Sequence, residues 1–285
     1  MTENASSRGR TAAAWILTAA AVALISLLYA PVIYSLVRQW LDDSNYHHGI
    51  LIPVISAFLL WRRRGELRSG GGRHLAGLLL ALAAAGLLIT GTAAAELFTM
   101  RVSLPLMILG LVIFIFGRNA AKSAGGPLLL LLLMVPLPYI IYFKITFPMQ
   151  ILSARLSAGV LDAMRVSVMR RGNILMLPGY TLEVIAACSG LRSMMTMFTL
   201  AVVFTFVYDI SRTRKLILVL LSLPVAVAAN TVRLVITALG AFFVGPSFAD
   251  GPLHEASGMI VFMAGLLMLL LCAGILKWTK ARQKE

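Results

Sequence analysis

Leu216-Ile-Leu-Val-Leu-Leu-Ser-Leu-Pro-Val-Ala-Val-Ala-Ala-Asn-Thr-Val-Arg-Leu-Val-Ile-Thr-Ala-Leu-Gly-Ala-Phe-Phe-Val244 is a long apolar run. About 20 apolar residues in a helix cross the hydrocarbon of a bilayer, and this run exceeds that length. Lys215 marks one boundary, and Arg233 lies 18 residues further on, about 27 Å along a helix. That depth puts a guanidinium near the far edge of the hydrocarbon. An arginine at membrane depth costs several kcal/mol, so it marks either a snorkelling helix end or a working site. Asn230, three residues earlier on the same helix face, favours an inward-facing pair.

Similar runs lie on both sides: Ala12 to Val37, Ile50 to Trp61, Leu75 to Ala95, Val102 to Phe116, Pro127 to Phe143, Met194 to Tyr208 and Ala256 to Leu276. The first is too long for a signal-peptide core, and no cleavage site follows it. Ile50 to Trp61 is short enough to be re-entrant. Composition agrees: of 285 residues 60% are hydrophobic and 13% charged, and the mean hydropathy is +0.91. A soluble globular domain carries about 25% charged residues. Disorder is excluded by the same numbers, and a disulfide scaffold by two cysteines. The expected fold is an all-α polytopic membrane protein of about eight transmembrane helices, forming one domain over 1–285. A short outer-face helical and hairpin excursion is expected over 144–183. Within it, Pro148 to Val168 has helical spacing, and Asn173 to Val184 carries a Pro-Gly turn between apolar segments.

The net charge of +14 suggests nucleic acid in a soluble protein, but lysine and arginine also collect on cytoplasmic loops. With the N-terminus in the cytoplasm, eight crossings place both termini inside. The inner segments then hold 16 of the 25 basic residues and 4 of the 11 acidic ones, +12 against +2 outside. The basic surplus is a topology signal and requires no nucleic-acid partner. The protein is expected to be a multi-pass protein of the inner, cytoplasmic membrane.

That topology sorts the reactive side chains. Cys188 precedes the helix beginning near Met194, with Ser189, Gly190 and Arg192 close by. A helix N-terminus and a cation both favour the nucleophilic thiolate. Cys272 sits among leucines at the inner end of the last helix and reads as structural. His74 lies in a basic cytoplasmic loop, whereas His47, His48 and His254 lie outside. Cys188, Arg233 and His254 thus reach one membrane face by topology alone. A thiol, a guanidinium and an imidazole are what acyl transfer needs: nucleophile, oxyanion donor and proton carrier. Cys188 and His254 offer only two metal ligands, and no third has recognisable spacing, so no metal or other cofactor is expected.

Ala187-Cys-Ser-Gly-Leu-Arg-Ser, Asn230-Thr-Val-Arg and His254 before the last helix resemble the exosortase/archaeosortase family of integral-membrane transpeptidases. Tyr46-His-His-Gly resembles the family's N-terminal element, and the likeness covers essentially the whole chain. The resemblance implies a catalytic Cys188 with Arg233 and His254 in support, and the histidine points to the bacterial exosortase branch. It further implies exported substrates ending in a Pro-Glu-Pro-like motif, a transmembrane helix and a basic tail. Cleavage would pass through a thioacyl intermediate at the outer face, with transfer to an acceptor the sequence does not name.

Supporting or substrate-binding roles are expected of Arg192, Asn230, Glu183, Tyr46, His48, Arg170 and Arg171. The excursion from Lys144 to Glu183 carries five basic and two acidic residues, a surplus suited to an acidic motif or to anionic membrane lipid. The rival readings are a polytopic transporter, a lipid-transferring membrane enzyme and a passive assembly subunit. The absence of paired broken helices in matching halves weighs against the first.

Overall fold

The computed structural model describes residues 23–65, 74–184, 190–208 and 210–282. Two compact units emerge, one built from the segments up to Asp43 and from Arg62 to Val135, the other from Ser44–Trp61 and from Pro136 onward.

In the first unit, α1 (Ala23–Asp42) buries Tyr29, Val32, Leu36 and Trp40, spaced three to four residues apart on one face. α3 (Leu75–Ala93) packs against α4 (Leu97–Leu130) so tightly that side chains are excluded from the contact. A Cβ on Gly77 would fall 2.2 Å from the Phe114 nitrogen, and one on Gly110 would fall 2.6 Å from that of Ala81. Small residues that let backbones touch are how helices associate in lipid. α1 is tied to α4 by polar contacts. The Tyr29 hydroxyl meets Ser103 Oγ at 3.1 Å, and Arg101 donates to the Ser35 carbonyl and to the Gln39 side chain. Glu96 caps α4, accepting from the Phe98 and Thr99 amides. Gly117, at φ 85°, interrupts α4 in a region that only glycine enters without strain.

The second unit carries α2 (Leu51–Arg62), preceded by a 3-10 turn at Ser44–Ile50. α5 (Tyr139–Ala163) follows, then strands β1 (Met169–Arg171), β2 (Ile174–Leu177) and β3 (Tyr180–Glu183). α6 (Gly190–Val207), α7 (Arg212–Phe243), a single turn at Ser247–Asp250 and α8 (Pro252–Arg282) complete it. The strands form an antiparallel sheet in the order β1-β2-β3. Leu177 opposes Tyr180 across Pro178-Gly179, with Gly179 at φ 79°, the third position of a type II turn. Leu175, Leu177 and Leu182 point to one face and pack with Ala154 and Leu161 of α5 and Leu234 and Ala238 of α7. A second cluster, including Met197, Leu218, Ala226 and Leu269, joins α6, α7 and α8. Cys272 packs against its edge, as its leucine-rich setting suggests.

The expected hairpin at Asn173–Val184 is present, with an additional strand in front of it. Elsewhere the elements differ from the expectation. Pro127 to Phe143 is not one continuous helix: helix stops at Met134, the backbone is extended at Val135 and Pro138, and α5 starts at Tyr139. Pro136 and Pro138 lack amide hydrogens and force the preceding residues out of the helical region. α5 then runs through Lys144 to Ala163, so the helical part of 144–183 is continuous with the apolar residues before it. Among the described residues five helices are long and apolar enough to cross a membrane, or six if 121–134 and 139–163 form one broken span. The shortfall from eight lies with α2, of 12 residues, and the apolar stretch Arg192–Val207, both helical but short. The run Ala12 to Val37 lies partly outside the described residues. The protein is a helical, multi-pass membrane protein.

Candidate active site

α7 carries Asn230, Arg233 and Thr237 at spacings of three and four, which puts all three on one face. That face is buried: Asn230 is 4% exposed, Arg233 9% and Thr237 0%. α8 comes back alongside it after the turn at Gly245 and Ser247–Asp250. Pro252 opens α8, where its missing amide hydrogen costs nothing, and this sets His254 in the first helical turn.

His254 is held from two sides by α7. Arg233 Nη2 lies 3.1 Å from His254 Nε2, and Thr237 Oγ1 lies 3.2 Å from His254 Nδ1. A guanidinium only donates, so Nε2 must accept with its lone pair. The partners therefore assign the imidazole as neutral, with its proton on Nδ1 donated to the threonine oxygen. Sequence reasoning missed Thr237. Its one signal was position, four residues after Arg233 on the same face.

The pair opens onto a cavity of about 730 Å³, a size that suits a short peptide segment or small ligand. His47 and His48 contribute from the 3-10 turn, Arg192 from the first turns of α6, Arg233 from α7, and His254 and Glu255 from α8. Arg192 Nη2 donates to Ser44 Oγ, which joins α6 to the turn that carries the histidines. Tyr46 is buried behind that turn, its ring 6.3 Å from His48 and 6.1 Å from Tyr142. It supports His48 and does not line the cavity. Asn230 sits deeper, on a void of about 10 Å³ shared with Ser193, Arg233 and Gly258, room for about one water molecule. Neither Asn230 Nδ2 nor Oδ1 has a hydrogen-bond partner among the described residues.

Other expected site residues lie elsewhere. Arg170 and Arg171 are exposed on β1, where Arg170 donates to the Gly172 carbonyl, and Glu183 is exposed at the end of β3. None of the three lines the cavity. Cys188 falls in 185–189, outside the described residues; α6 begins two positions later. Among the described residues, no three side chains of the metal-ligating types converge.

A family model described as transmembrane exosortase matches residues 40–271, most of the chain. No curated protein and no solved structure gives a significant match.

Proposed function

The chain belongs to the transmembrane exosortase family, and on that premise we propose that it is a membrane-embedded cysteine endopeptidase and transpeptidase. Membership supports a membrane transpeptidase role that processes exported proteins. The finer reading is that it cleaves a C-terminal sorting signal made of a Pro-Glu-Pro-like motif, a transmembrane helix and a basic tail. The observation that carries this reading is the Arg233–His254 pair at the cavity. Arg192, four residues after Cys188, lines the same cavity.

Chemistry would proceed in two halves. Released from Arg233, His254 Nε2 takes the Cys188 thiol proton; the thiolate attacks the scissile carbonyl, and Arg233 donates to the oxygen that becomes negative. The carbon–nitrogen bond breaks as His254 passes a proton to the leaving amine, leaving a thioester on Cys188. A nucleophile on the acceptor then attacks the thioester, its proton goes to His254, and the thiolate is restored. In the resting arrangement the His254 Nε2 lone pair is engaged by Arg233. Substrate must exchange that contact for the oxyanion before Nε2 can carry a proton.

Both termini are assigned to the cytoplasm and the cavity to the outer face of the inner membrane, because the basic residues collect on the alternate loops. Arg170 and Arg171 then lie outside the chemistry, free to meet an acidic flank of the substrate or lipid headgroups. An immunoblot of one substrate beside Cys188→Ala, Arg233→Ala and His254→Ala tests the reading. Each variant should leave the precursor in the membrane with its C-terminal helix attached. Normal processing by any of them removes that residue from the mechanism.

A further inference from the structure

Arg233 lies against the backbone of α8 at a position that no side chain occupies. A Cβ on Gly258 would fall 2.7 Å from Arg233 Cζ and Nη2 and 2.8 Å from Nε. Carbon and its neighbours normally settle at about 3.5–4.0 Å, so the guanidinium plane rests where even a methyl group does not fit. Gly258 is one turn beyond His254 on the same helix face. The glycine and the imidazole therefore bracket the guanidinium, one touching its face and the other its Nη2.

We propose that Gly258 is a positioning residue of the reaction, present so that the Arg233 guanidinium can lie flat on α8 within reach of both His254 and the reacting carbonyl. The inference rests on the catalytic role proposed above for Arg233. The kind of atom that blocks the missing Cβ distinguishes this glycine from one that serves helix packing. At Gly77 the obstruction is backbone, the Phe114 nitrogen and Cα, so a larger residue there must push two helices apart. At Gly258 the nearest obstruction is the tip of one long side chain. The void beside Asn230 gives that tip somewhere to go. Alanine at 258 should thus leave the fold standing and move the guanidinium by about 1 Å, to restore ordinary contact. A misplacement of that size costs up to about 10²-fold in rate.

The test is a double-mutant cycle on full-length protein in membranes or detergent, reading substrate processing rate and thermal midpoint together. Gly258→Ala should lose about 10–10²-fold in rate with an unchanged midpoint. Added to Arg233→Ala, it should cost less than about twofold more, because the group it displaces is already gone. Methylguanidinium should partly restore Arg233→Ala and fail to restore the Arg233→Ala, Gly258→Ala double variant. Full activity in Gly258→Ala with loss in Arg233→Ala overturns the inference and leaves the catalytic role of Arg233 intact. The inference is equally overturned if the two losses multiply, or if Gly258→Ala collapses the midpoint. Full activity in Arg233→Ala overturns the catalytic reading itself, and this inference with it.

Discussion

Thr237 Oγ1 and His254 Nδ1 stand 3.2 Å apart, so the imidazole proton is fixed on the side away from Arg233. The opposite nitrogen is left with a lone pair aimed at the guanidinium 3.1 Å away. One helix thereby supplies both the group that orients the imidazole and the group that occupies its lone pair. The same third-partner logic steers the base in triad enzymes on unrelated folds.

Replacing Thr237 by valine keeps the shape and removes the acceptor. The Nδ1 proton then loses its partner in a part-buried setting, a change of about 1–3 kcal/mol, or about 5–150-fold. Processing by Thr237→Val should fall by that factor, and Thr237→Ser should stay within about threefold of wild type. Rates for the two variants at equal expression check this, and a loss in Thr237→Ser with Thr237→Val at the wild-type rate would mean that the methyl group, not the hydroxyl, matters.

Arg233→Lys keeps a positive charge and loses the planar fork of donors. Its processing rate should fall about 10²–10³-fold, the effect of removing one oxyanion donor. His254→Ala should lose about 10²–10⁴-fold. Both belong in a quantitative time course on one substrate. A lysine variant as fast as wild type would mean that charge alone suffices.

How far the sequence carried the site depends on the kind of signal. Arg233 and Asn230 stand out because polar residues in a 29-residue apolar run need a reason. Pro178-Gly179 announces its turn through local backbone chemistry. Thr237 and Gly258 carry no such mark: a threonine in a membrane helix usually bonds its own backbone, and a glycine usually serves packing. Their roles exist only through the crossing of α7 and α8, which is tertiary. Eight spans are not reached among the described residues, because hydropathy does not show that α2 and Arg192–Val207 are short helices or that Pro136 and Pro138 break the run from Pro127 to Phe143.

Orientation is checked with single reporter cysteines in a background lacking Cys188 and Cys272. An impermeant maleimide applied to intact cells should label His254→Cys and leave His74→Cys untouched. Labelling at position 74 would invert the arrangement.

Reversal of the two exposed arginines on β1 separates substrate from lipid. With Arg170→Glu and Arg171→Glu together, processing of a signal with an acidic motif should fall more than that of its neutralised counterpart. Equal loss for the two signals would assign the arginines to headgroups.

The Glu96 carboxyl is held below its usual range by the Thr99 side chain, by the Thr99 amide and then by the Phe98 amide. A lowered value means that capping stabilises α4 fully above the unfolded carboxylate range, near pH 4.3, and is lost as pH falls through the folded value. Glu96→Ala should cost about 1 kcal/mol at pH 7, and the difference from wild type should shrink towards pH 3. Thermal unfolding in detergent at the two pH values reads it.

The proposed chemistry requires a covalent intermediate at Cys188. Purified protein mixed with a sorting-signal substrate, with acceptor withheld and quenched in acid, is digested and weighed by mass spectrometry. The peptide containing Cys188 should gain the mass of the substrate's N-terminal fragment through a hydroxylamine-sensitive thioester, and the Cys188→Ala protein should gain nothing. Processing of the substrate by Cys188→Ala, with no adduct on the wild-type cysteine, would contradict the cysteine mechanism.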